Sequence, residues 1–338
     1  MTGYAARDPG TVVITGANGF IGRHLSRSLA ARGIRVRGIT RSQQGVPVGG
    51  VETVLAKDLH DRGAIRSALT GATTVVHLAA RVHAKNEGTD GASECRRINV
   101  EGTRLVLEEA ANAGATGFLF VSSVKAVAGE SDRVLTEDTP PQPVDPYGES
   151  KLEAERLVRV IAAREGIHAP ILRLPNVYGP GMKANMVLLF KAVEKGVPMP
   201  FASLKNRRSF AYIDNAVAAI EGLMTSPAAS DATVYVSDEE DVSTESLVRH
   251  IARAMQKPAR LFSVPSAILK GATATGDLLS RFARFHLMGD SLAAVLGSLF
   301  VDTTSLRETT GYTPITSVET GMARTAEWYK SRSQAISS

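Results

Sequence analysis

The chain is poor in the features that mark secreted, metal-bound and membrane-embedded proteins. Its 338 residues contain one cysteine, Cys95, which excludes an internal disulfide and a cysteine metal cluster. The seven histidines show no His-x-x-x-His spacing, so we expect no structural metal. No apolar run is long enough to cross a bilayer, and residues 1–10 lack the apolar core of a signal peptide. These absences predict a protein of the reducing cytoplasm without a membrane span.

Aromatic residues make up only 5% of the chain, and its basic residues are scattered. The formal charge of +5 fits either an anionic ligand or plain surface solvation, and solvation is the simpler explanation. The doublets Arg96-Arg97 and Arg207-Arg208 are short, and no basic stripe is interleaved with aromatics. We therefore expect no nucleic-acid partner.

Glycine is plentiful, with 30 residues, and three of them stand three apart near the start of the chain. The strand-like run 11–15 precedes Gly16, Gly19 and Gly22, and an apolar pattern of helical period follows. Strand, glycine turn and helix in this order predict a dinucleotide site, because the tight turn lets the backbone approach a pyrophosphate. The following helix would direct its unpaired N–H groups at the phosphates.

Strand-like and helical stretches alternate from residue 11 to residue 123. This order predicts an α/β fold built on a Rossmann-type doubly wound parallel sheet, in which ligands bind outside the carboxyl ends of the strands. Asp145 suits the N-cap of a helix that Gly166 would end. The other elements are expected as strands at 34–41, 51–59, 73–80, 117–123 and 169–174, and as helices at 97–113 and 146–164.

Beyond residue 176 the alternation loosens, which predicts a smaller, mostly helical C-terminal lobe that binds substrate. We assign residues 1–176 to an NAD(P)-binding domain and residues 177–204 and 238–338 to the lobe, with 205–237 returning to the domain. Within this part of the chain, helices are expected at 183–195, 214–226, 244–256, 265–285 and near 315–330, and a short strand at 233–237.

The second expected strand ends in Thr40-Arg41-Ser42, without the acidic residue that would accept hydrogen bonds from an adenosine ribose. Arg41 can instead pair with a 2′-phosphate, which favours NADP(H) over NAD(H). The alternative is that Arg41 is a solvated loop residue. Asp58, at the end of the third expected strand, is a candidate partner for the adenine amino group.

Tyr147 and Lys151 stand four residues apart and therefore share one face of a helix. A tyrosine with its ordinary pKa of ~10 is a poor base at neutral pH, and a nearby ammonium lowers the pKa of a phenol. The pair therefore predicts proton exchange with an alcohol or a sugar hydroxyl. Ser122 and Ser123 end the preceding strand. The alternative is a surface tyrosine beside a solvated lysine.

Several motifs together resemble the extended short-chain dehydrogenase/reductases. Within that superfamily they resemble the nucleotide-sugar epimerase, dehydratase and reductase group, which includes UDP-glucose 4-epimerase. The resemblance covers nearly the whole chain. It rests on the segments 16–22, Asp58-Leu59, 77–80, 99–103, Ser122-Ser123, Tyr147-x-x-x-Lys151, 173–180 and 208–214.

The resemblance implies a role for each matching residue. Tyr147 would be the catalytic acid/base, Lys151 would tune it and hold the nicotinamide ribose, and Ser123, or its neighbour Ser122, would hydrogen-bond the reacting oxygen. Asn99 would help to order the lysine, unless it is satisfied within its own helix. The residues implied in cofactor binding are Gly16, Asn18, Gly19, Phe20, Ile21, Gly22, Arg41, Asp58, Leu59, Leu78, Ala79, Ala80, Tyr147, Lys151 and Pro175. Those implied in substrate binding are Ser122, Ser123, Asn176, Asn185 and Arg208, of which Arg208 is otherwise a loop arginine.

Departures from the family pattern narrow the implied reaction. Val124 and Lys125 stand where dehydratases carry adjacent acids, which argues against dehydration. Thr40-Arg41 replaces the acid of typical 4-epimerases that retain NAD, and this suits exchangeable NADPH. The family's later Arg-x-Gly-Asp contact to the nucleotide is not evident near 285–300.

The resemblance therefore implies NAD(P)-dependent chemistry at C4 of a nucleotide sugar that is UDP-linked. Net 4-ketoreduction of a UDP-4-keto(-6-deoxy) hexose or hexosamine in polysaccharide biosynthesis ranks ahead of UDP-hexose 4-epimerisation. A non-catalytic NAD(P)-binding regulatory or scaffold protein is a further alternative. The resemblance also implies a homodimer that forms through the helices carrying Asn99 and Tyr147.

Overall fold

A computed structural model describes residues 7–42, 49–82, 88–182, 185–265 and 295–337 of the chain. The strands in these ranges alternate with helices over the first half of the chain. They are β1 (Val12–Thr15), β2 (Val36–Thr40), β3 (Val51–Leu55), β4 (Thr74–His77), β5 (Gly117–Ser123), β6 (Ile171–Leu174), β7 (Asn176–Tyr178), β8 (Phe210–Tyr212) and β9 (Thr233–Tyr235).

Seven of these strands form one parallel sheet in the order β3-β2-β1-β4-β5-β6-β9. Val12 of β1 pairs with Val36 of β2 on one side and with Thr74 of β4 on the other. The chain therefore winds outward in both directions from the β1–β4 junction, which is the point where such sheets bind ligands. This confirms the predicted Rossmann-type fold.

Helices cover both faces of the sheet, because successive strand residues point to opposite sides. Val12 and Ile14 of β1 pack into one apolar cluster, and Val13 packs into the other. The helices are α1 (Phe20–Ala31), α2 (Arg62–Leu69), α3 (Gly88–Arg96), α4 (Gly102–Asn112), α5 (Pro146–Glu165), α6 (Asn185–Glu194), α7 (Ile213–Thr225), α8 (Thr244–Met255), α9 (Thr304–Thr310) and α10 (Val318–Ser337).

Local capping signals place α5 as expected. The Asp145 side chain accepts a hydrogen bond from the Gly148 N–H, Pro146 occupies the first turn, and Gly166 ends the helix with φ +66°. These features fix the start of α5, and therefore the position of Tyr147, to within a residue.

The structure departs from the sequence-based elements in several places. The helix expected at 97–113 is the end of a longer helical run that begins at α3 and passes through a π-helical stretch, Arg97–Glu101. The parallel pair β7–β8 and helix α9 were not predicted, because three-residue strands and a seven-residue helix carry little periodic signal. The helix expected at 265–285 lies almost entirely outside the described residues.

The proposed division between domain and lobe stays a prediction. Its most specific element, the return of 205–237 to the first domain, agrees with β9 pairing with β6 as the seventh strand of the main sheet. Among the helices of the described residues, none is both long and apolar enough to span a bilayer.

Candidate active site

The glycine turn connects β1 to α1 at the centre of the sheet edge. Gly16 has φ +70°, and a Cβ there would lie 3.1 Å from the Ala79 backbone nitrogen. A Cβ on Gly22 would collide with the carbonyl oxygen of Gly16, so this glycine lets the helix pack against its own turn. Two of the three glycines are therefore required by the backbone itself.

The amino end of α1 is open to an anion. Its N-cap is the exposed Gly19, no side chain caps the helix, and no acidic residue lies in its first turn. The neighbouring Asn18, Phe20 and Ile21 are half-buried. Uncapped N–H groups beside a glycine whose missing side chain leaves room form a cradle that fits a dinucleotide pyrophosphate.

A buried hydrogen-bonded chain holds the ends of β1 and β4 together. The Thr15 hydroxyl accepts from the backbone N–H groups of Leu78 (3.2 Å) and Ala79 (3.1 Å) and lies 2.9 Å from His77 Nδ1. The hydroxyl of Thr103 donates to the Asn99 carbonyl oxygen (2.7 Å) and lies 3.0 Å from His77 Nε2.

These contacts assign the His77 tautomer. The Thr103 hydroxyl already donates its hydrogen bond to the Asn99 carbonyl oxygen, so toward His77 it accepts from Nε2–H. The Thr15 hydroxyl then donates to the unprotonated Nδ1. Complete burial, together with the smaller effect of the Lys151 charge, lowers the pKa of His77 to about 3. His77 is therefore a neutral structural link at neutral pH.

Asn99 joins two parts of the site rather than being satisfied within its own helix. Its Oδ1 accepts from the Arg81 N–H (2.8 Å), and its Nδ2 donates to the Arg81 carbonyl oxygen (3.0 Å) and to Ser150 Oγ (2.8 Å). The Ser150 hydroxyl in turn donates to the Tyr147 carbonyl oxygen (2.8 Å). Asn99 thus ties the loop after β4 to the first turn of α5, and it does so from a π-helical stretch, a frequent feature of functional sites.

Tyr147 reaches Ser123 from the first turn of α5. The two side chains are hydrogen-bonded, and this bond lowers the pKa of the phenol. Burial has the larger and opposite effect, with Asp145 and Cys95 adding to it, and raises the pKa of Tyr147 to about 12. The expectation that this pKa would be lowered is therefore wrong, because burial disfavours the phenolate.

Lys151 lies one helical turn below Tyr147 and is buried. Its Nζ donates to the Val121 carbonyl oxygen (2.6 Å) and lies 4.1 Å from the centroid of the Phe120 ring. Burial lowers the pKa of Lys151 to about 7, an effect that the charge of Glu155 opposes. The amine is therefore poised near neutrality beneath the strand end.

Ser122 does not share the environment of Ser123. Its hydroxyl donates to Glu155 Oε1 (2.5 Å), and the same carboxylate forms a buried ion pair with Arg173 (2.8 Å). Ser122 is itself buried, and neighbouring strand residues point to opposite faces of the sheet. The Ser122 hydroxyl is therefore engaged by Glu155, and its assignment to substrate binding stays a prediction.

The outer part of the predicted cofactor site contains Arg41, Asp58 and Leu59. Arg41 is exposed immediately after β2. Asp58, three residues beyond β3, accepts from His60 (2.9 Å) and Arg97 (2.8 Å), and these hydrogen bonds hold the pKa of its carboxyl well below the ordinary value. Leu59 packs against α4, where a Cβ on Gly102 would lie 3.0 Å from its Cδ1. Ala80 is half-buried and Pro175 is buried.

The predicted substrate residues lie on separate segments. Asn176 is the exposed first residue of β7, and Asn185 begins α6, where its side chain lies outside the described part of the structure. Arg208 is buried and donates to the Gly297 carbonyl oxygen (2.8 Å). Burial lowers the pKa of Arg208 to about 10, so its guanidinium stays charged at neutral pH.

The structure adds residues that the sequence patterns did not reveal. Asn206 donates to the carbonyl oxygens of Val295 and Gly297 (both 3.0 Å), and thereby fixes the segment that Arg208 contacts. Gly148 is a second, because a Cβ there would collide with the Lys125 carbonyl oxygen. Among the described residues, no group of His, Cys, Asp and Glu side chains is arranged to hold a metal ion.

Comparison with known proteins gives consistent findings. A model described as the NAD dependent epimerase/dehydratase family matches residues 12–236. UDP-glucose 4-epimerase from Vibrio cholerae is 33% identical over 327 residues, which cover 94% of this chain and 95% of that protein.

Two further comparisons extend this result. The N-acetyl-alpha-D-glucosaminyl-diphospho-ditrans,octacis-undecaprenol 4-epimerase of Escherichia coli O157:H7 is 28% identical over 264 residues, 77% of each chain. The structure of MoeE5 in complex with UDP-glucose and NAD superimposes with a TM-score of 0.75 at 28% identity, and covers 96% of this chain and 100% of that one.

Proposed function

Because the chain belongs to the NAD-dependent epimerase/dehydratase family, we propose that it is an oxidoreductase acting at C4 of a UDP-linked hexose or hexosamine. Net reduction of a 4-keto sugar is the favoured reaction. The observation that carries this proposal is the hydrogen bond between Tyr147 and Ser123 at the carboxyl end of β5, on the same edge of the parallel sheet as the glycine cradle after β1.

The cofactor is proposed to occupy the edge between β1 and β4. Gly16, Gly19 and the uncapped start of α1 would hold the pyrophosphate, and the strand-end residues Leu78 and Ala79 would lie along the dinucleotide. When bound, the nicotinamide supplies or accepts a hydride at the sugar carbon.

The protonation state of Tyr147 suits the reductive direction. Hydride addition to a ketone carbon leaves an alkoxide oxygen, which needs one proton to become the alcohol. A phenol whose pKa lies at about 12 is fully protonated at neutral pH and is still acidic enough to protonate an alkoxide. Ser123, already bonded to this phenol, would donate a hydrogen bond to the same oxygen.

UDP-hexose 4-epimerisation is the second candidate, and the specific observation that favours it is the 33% identity to the Vibrio cholerae UDP-glucose 4-epimerase across 94% of the chain. Epimerisation uses the same residues twice, since the sugar is oxidised and then reduced from the other face of the ketone. Tyr147 would then take a proton in the first half and return it in the second. Dehydration is not proposed, because Lys125 stands where an acid would be needed.

One assay separates these candidates. The protein is incubated with UDP-hexoses, UDP-N-acetylhexosamines or a UDP-4-keto-6-deoxyhexosamine, with stoichiometric NADPH or NADH or without coenzyme, and the product is identified by mass and anomeric proton NMR. A reductase converts the keto sugar and consumes one coenzyme per product, whereas an epimerase interconverts hexoses without net consumption. Turnover no better than that of Tyr147→Phe with every sugar would favour a non-catalytic binding protein.

NADP(H) is proposed as the preferred coenzyme. The support is Arg41, exposed after β2 at the position where the adenosine ribose would lie, together with the absence of an acid from Thr40-Arg41-Ser42. The family description itself names NAD, so both coenzymes belong in every assay.

A homodimer through α4 and α5 is also proposed. These helices pack against each other, and Val160 on α5 leaves 69% of its surface exposed, so it is available for a contact with a second copy of the chain. Sedimentation velocity at low micromolar concentration tests the proposal. A monomer in the native chain contradicts it, and dissociation of a dimer by Val160→Glu supports it.

A further inference from the structure

We propose that Lys125 and Asp145 form a positioning pair that holds Tyr147 against Ser123 and shields the Tyr147 phenol from the Asp145 charge. This inference rests on the proposed function, because it assigns the pair to proton donation by Tyr147. Neither residue is placed in contact with substrate or cofactor. The pair acts through Tyr147.

Lys125 and Asp145 connect the two segments that carry Ser123 and Tyr147. Lys125 lies in the 3₁₀ turn 124–126, where its backbone N–H donates to Ser123 Oγ (3.2 Å). Its Nζ donates to Asp145 Oδ2 at 2.7 Å. The other oxygen of Asp145 accepts from the Gly148 N–H (2.8 Å), which caps α5. One carboxylate therefore bridges the serine turn and the first turn of the tyrosine helix.

The backbones of the same two segments are in contact. A Cβ on Gly148 would collide with the carbonyl oxygen of Lys125, so only glycine allows this approach. Gly148 follows Tyr147 directly, and a shift of either segment would change the distance between Tyr147 and Ser123. The Lys125–Asp145 ion pair therefore connects two segments whose close approach depends on the absence of a side chain at Gly148.

Capping alone does not explain why the carboxylate has a cationic partner. Asparagine caps helices about as well as aspartate, so a neutral side chain could accept from the Gly148 N–H. The chain instead has a carboxylate two residues before Tyr147, where its charge raises the pKa of the phenol. The Lys125 ammonium, at 2.7 Å, is placed to offset that charge.

Asp145 is the shielded member of the pair, and its charge acts on the phenol. Its side chain is 17% exposed, whereas that of Lys125 is 42% exposed. The other groups that act on the phenol are Ser123 from β5 and Cys95 from α3. Lys151 lies one turn along the same helix and is bonded to a backbone carbonyl. The substitutions at Lys125 and Asp145 leave the chemical identity of these three groups unchanged, so the opposite charge changes of the two single variants can be compared against the same surroundings.

Four variants of the full chain test the pair: Lys125→Met, Asp145→Asn, the double variant, and Lys125→Arg as the control that keeps the charge. Steady-state reduction gives kcat and KM across pH. In parallel, the chain labelled with ¹³C at the tyrosine Cζ is titrated without cofactor, and the Tyr147 resonance is assigned by its absence in Tyr147→Phe. This second readout needs no activity.

Lys125→Met leaves Asp145 uncompensated, so the phenol becomes a weaker acid. We expect about a tenfold loss in kcat with KM changed less than about twofold, and an alkaline limb moved to higher pH. Asp145→Asn should move the limb and the Tyr147 titration to lower pH. The double variant should recover most of the lost kcat, and Lys125→Arg should resemble the native chain.

Equal losses in Lys125→Met and in the double variant, with the Tyr147 titration unmoved in both, would overturn the proposal, because that pattern describes packing without a charge effect. Absence of turnover by the native chain on every UDP-sugar would instead reject the proposed function. The ¹³C titration still decides on the pair in that case, since opposite shifts in the two single variants support it and unshifted resonances refute it.

Discussion

Two buried polar networks differ in how they are built. At the sheet edge, Thr15, His77 and Thr103 form a chain of neutral hydrogen bonds. Beside the pair β7–β8, the Asp238 carboxylate instead accepts three hydrogen bonds. Its donors are the Tyr178 hydroxyl (2.9 Å), the Tyr212 N–H (2.7 Å) and Asn215 Nδ2 (2.7 Å). The first network joins the ends of β1 and β4 to Thr103 of α4, whereas the second joins Tyr178 and Asp238 of the predicted lobe to Tyr212 and Asn215.

Burial shifts the pKa values of the titratable groups in the two networks in opposite directions. Burial lowers the pKa of His77 to about 3 and raises the pKa of Asp238 to about 6. In each case the charged form is disfavoured, so His77 stays neutral as a base and Asp238 binds its proton more tightly. The two regions should therefore respond to acid with opposite signs.

The largest effect is expected for His77→Phe. The substitution leaves the hydroxyls of Thr15 and Thr103 without their ring partners inside the core. We expect a loss of about 2–4 kcal/mol in the free energy of unfolding at neutral pH, measured by urea titration.

The acid response of His77→Phe provides its control. Between pH 6.5 and about 3, His77 of the native chain is protonated in the unfolded state but not in the folded state. The free energy of unfolding therefore falls as pH drops through that window. The variant lacks this contribution, and its deficit should shrink in acid. A deficit that stays constant from neutral pH to acid would contradict the assignment of a neutral buried imidazole.

Asp238→Asn should act with the opposite sign. The folded pKa of about 6 exceeds the ordinary value of 3.8, so the native carboxyl stabilises the fold only as pH falls toward 3.8 and loses that contribution as pH rises through 6. At neutral pH the neutral amide should therefore raise the free energy of unfolding by about 2 kcal/mol, and near pH 3.8 it should not. Asp241→Asn is the matched control, since Asp241 pairs with the exposed Arg207 and should show no such gain. A gain in the free energy of unfolding at both pH values would show that the effect does not come from the charge of the Asp238 carboxylate.

The sequence predicts some regions better than others, depending on how close together in the chain the contacting residues stand. The seven-stranded sheet, the glycine turn and the start of α5 depend on residues close together in the chain, such as Asp145 and its partner Gly148, and these predictions are confirmed. The roles of the predicted site residues stay predictions. The structure does place Ser123 against Tyr147 and sets Ser122 apart.

The remaining features depend on contacts that no local pattern encodes. Arg208 meets a carbonyl 89 residues away, and Lys125 meets a carboxylate 20 residues away. The raised pKa of Tyr147 could not be read from the Tyr147–Lys151 spacing, because it depends on how much water the folded chain excludes. Spacing gives proximity on one helix, whereas burial is set by the whole fold.

Arg208→Gln tests the proposed substrate-binding role of the buried Arg208 guanidinium. A buried, charged guanidinium that donates to the Gly297 carbonyl oxygen is suited to bind a diphosphate as well, because its other N–H groups match phosphate oxygens. We expect KM for the UDP-sugar to rise about tenfold, equivalent to about 1.4 kcal/mol, with kcat nearly unchanged. Arg207→Gln is the control, because Arg207 pairs with Asp241 and lies over the Phe300 ring. Equal changes in both variants would remove Arg208 from the binding site.

The smallest effect is expected at the opposite side, for Arg41→Ala. Arg41 is exposed after β2, so its attraction to a 2′-phosphate is weakened by water and salt, unlike that of a buried guanidinium. We expect NADPH affinity to fall about threefold to tenfold while NADH affinity is unchanged, measured by fluorescence titration at two salt concentrations. Arg35 is exposed just before the start of β2, at the opposite end from Arg41, and Arg35→Ala should change neither affinity. If Arg41→Ala weakened NADH and NADPH binding alike, Arg41 would be a general contact rather than a reader of the phosphate. The preference for NADP(H) would then have no support in this chain.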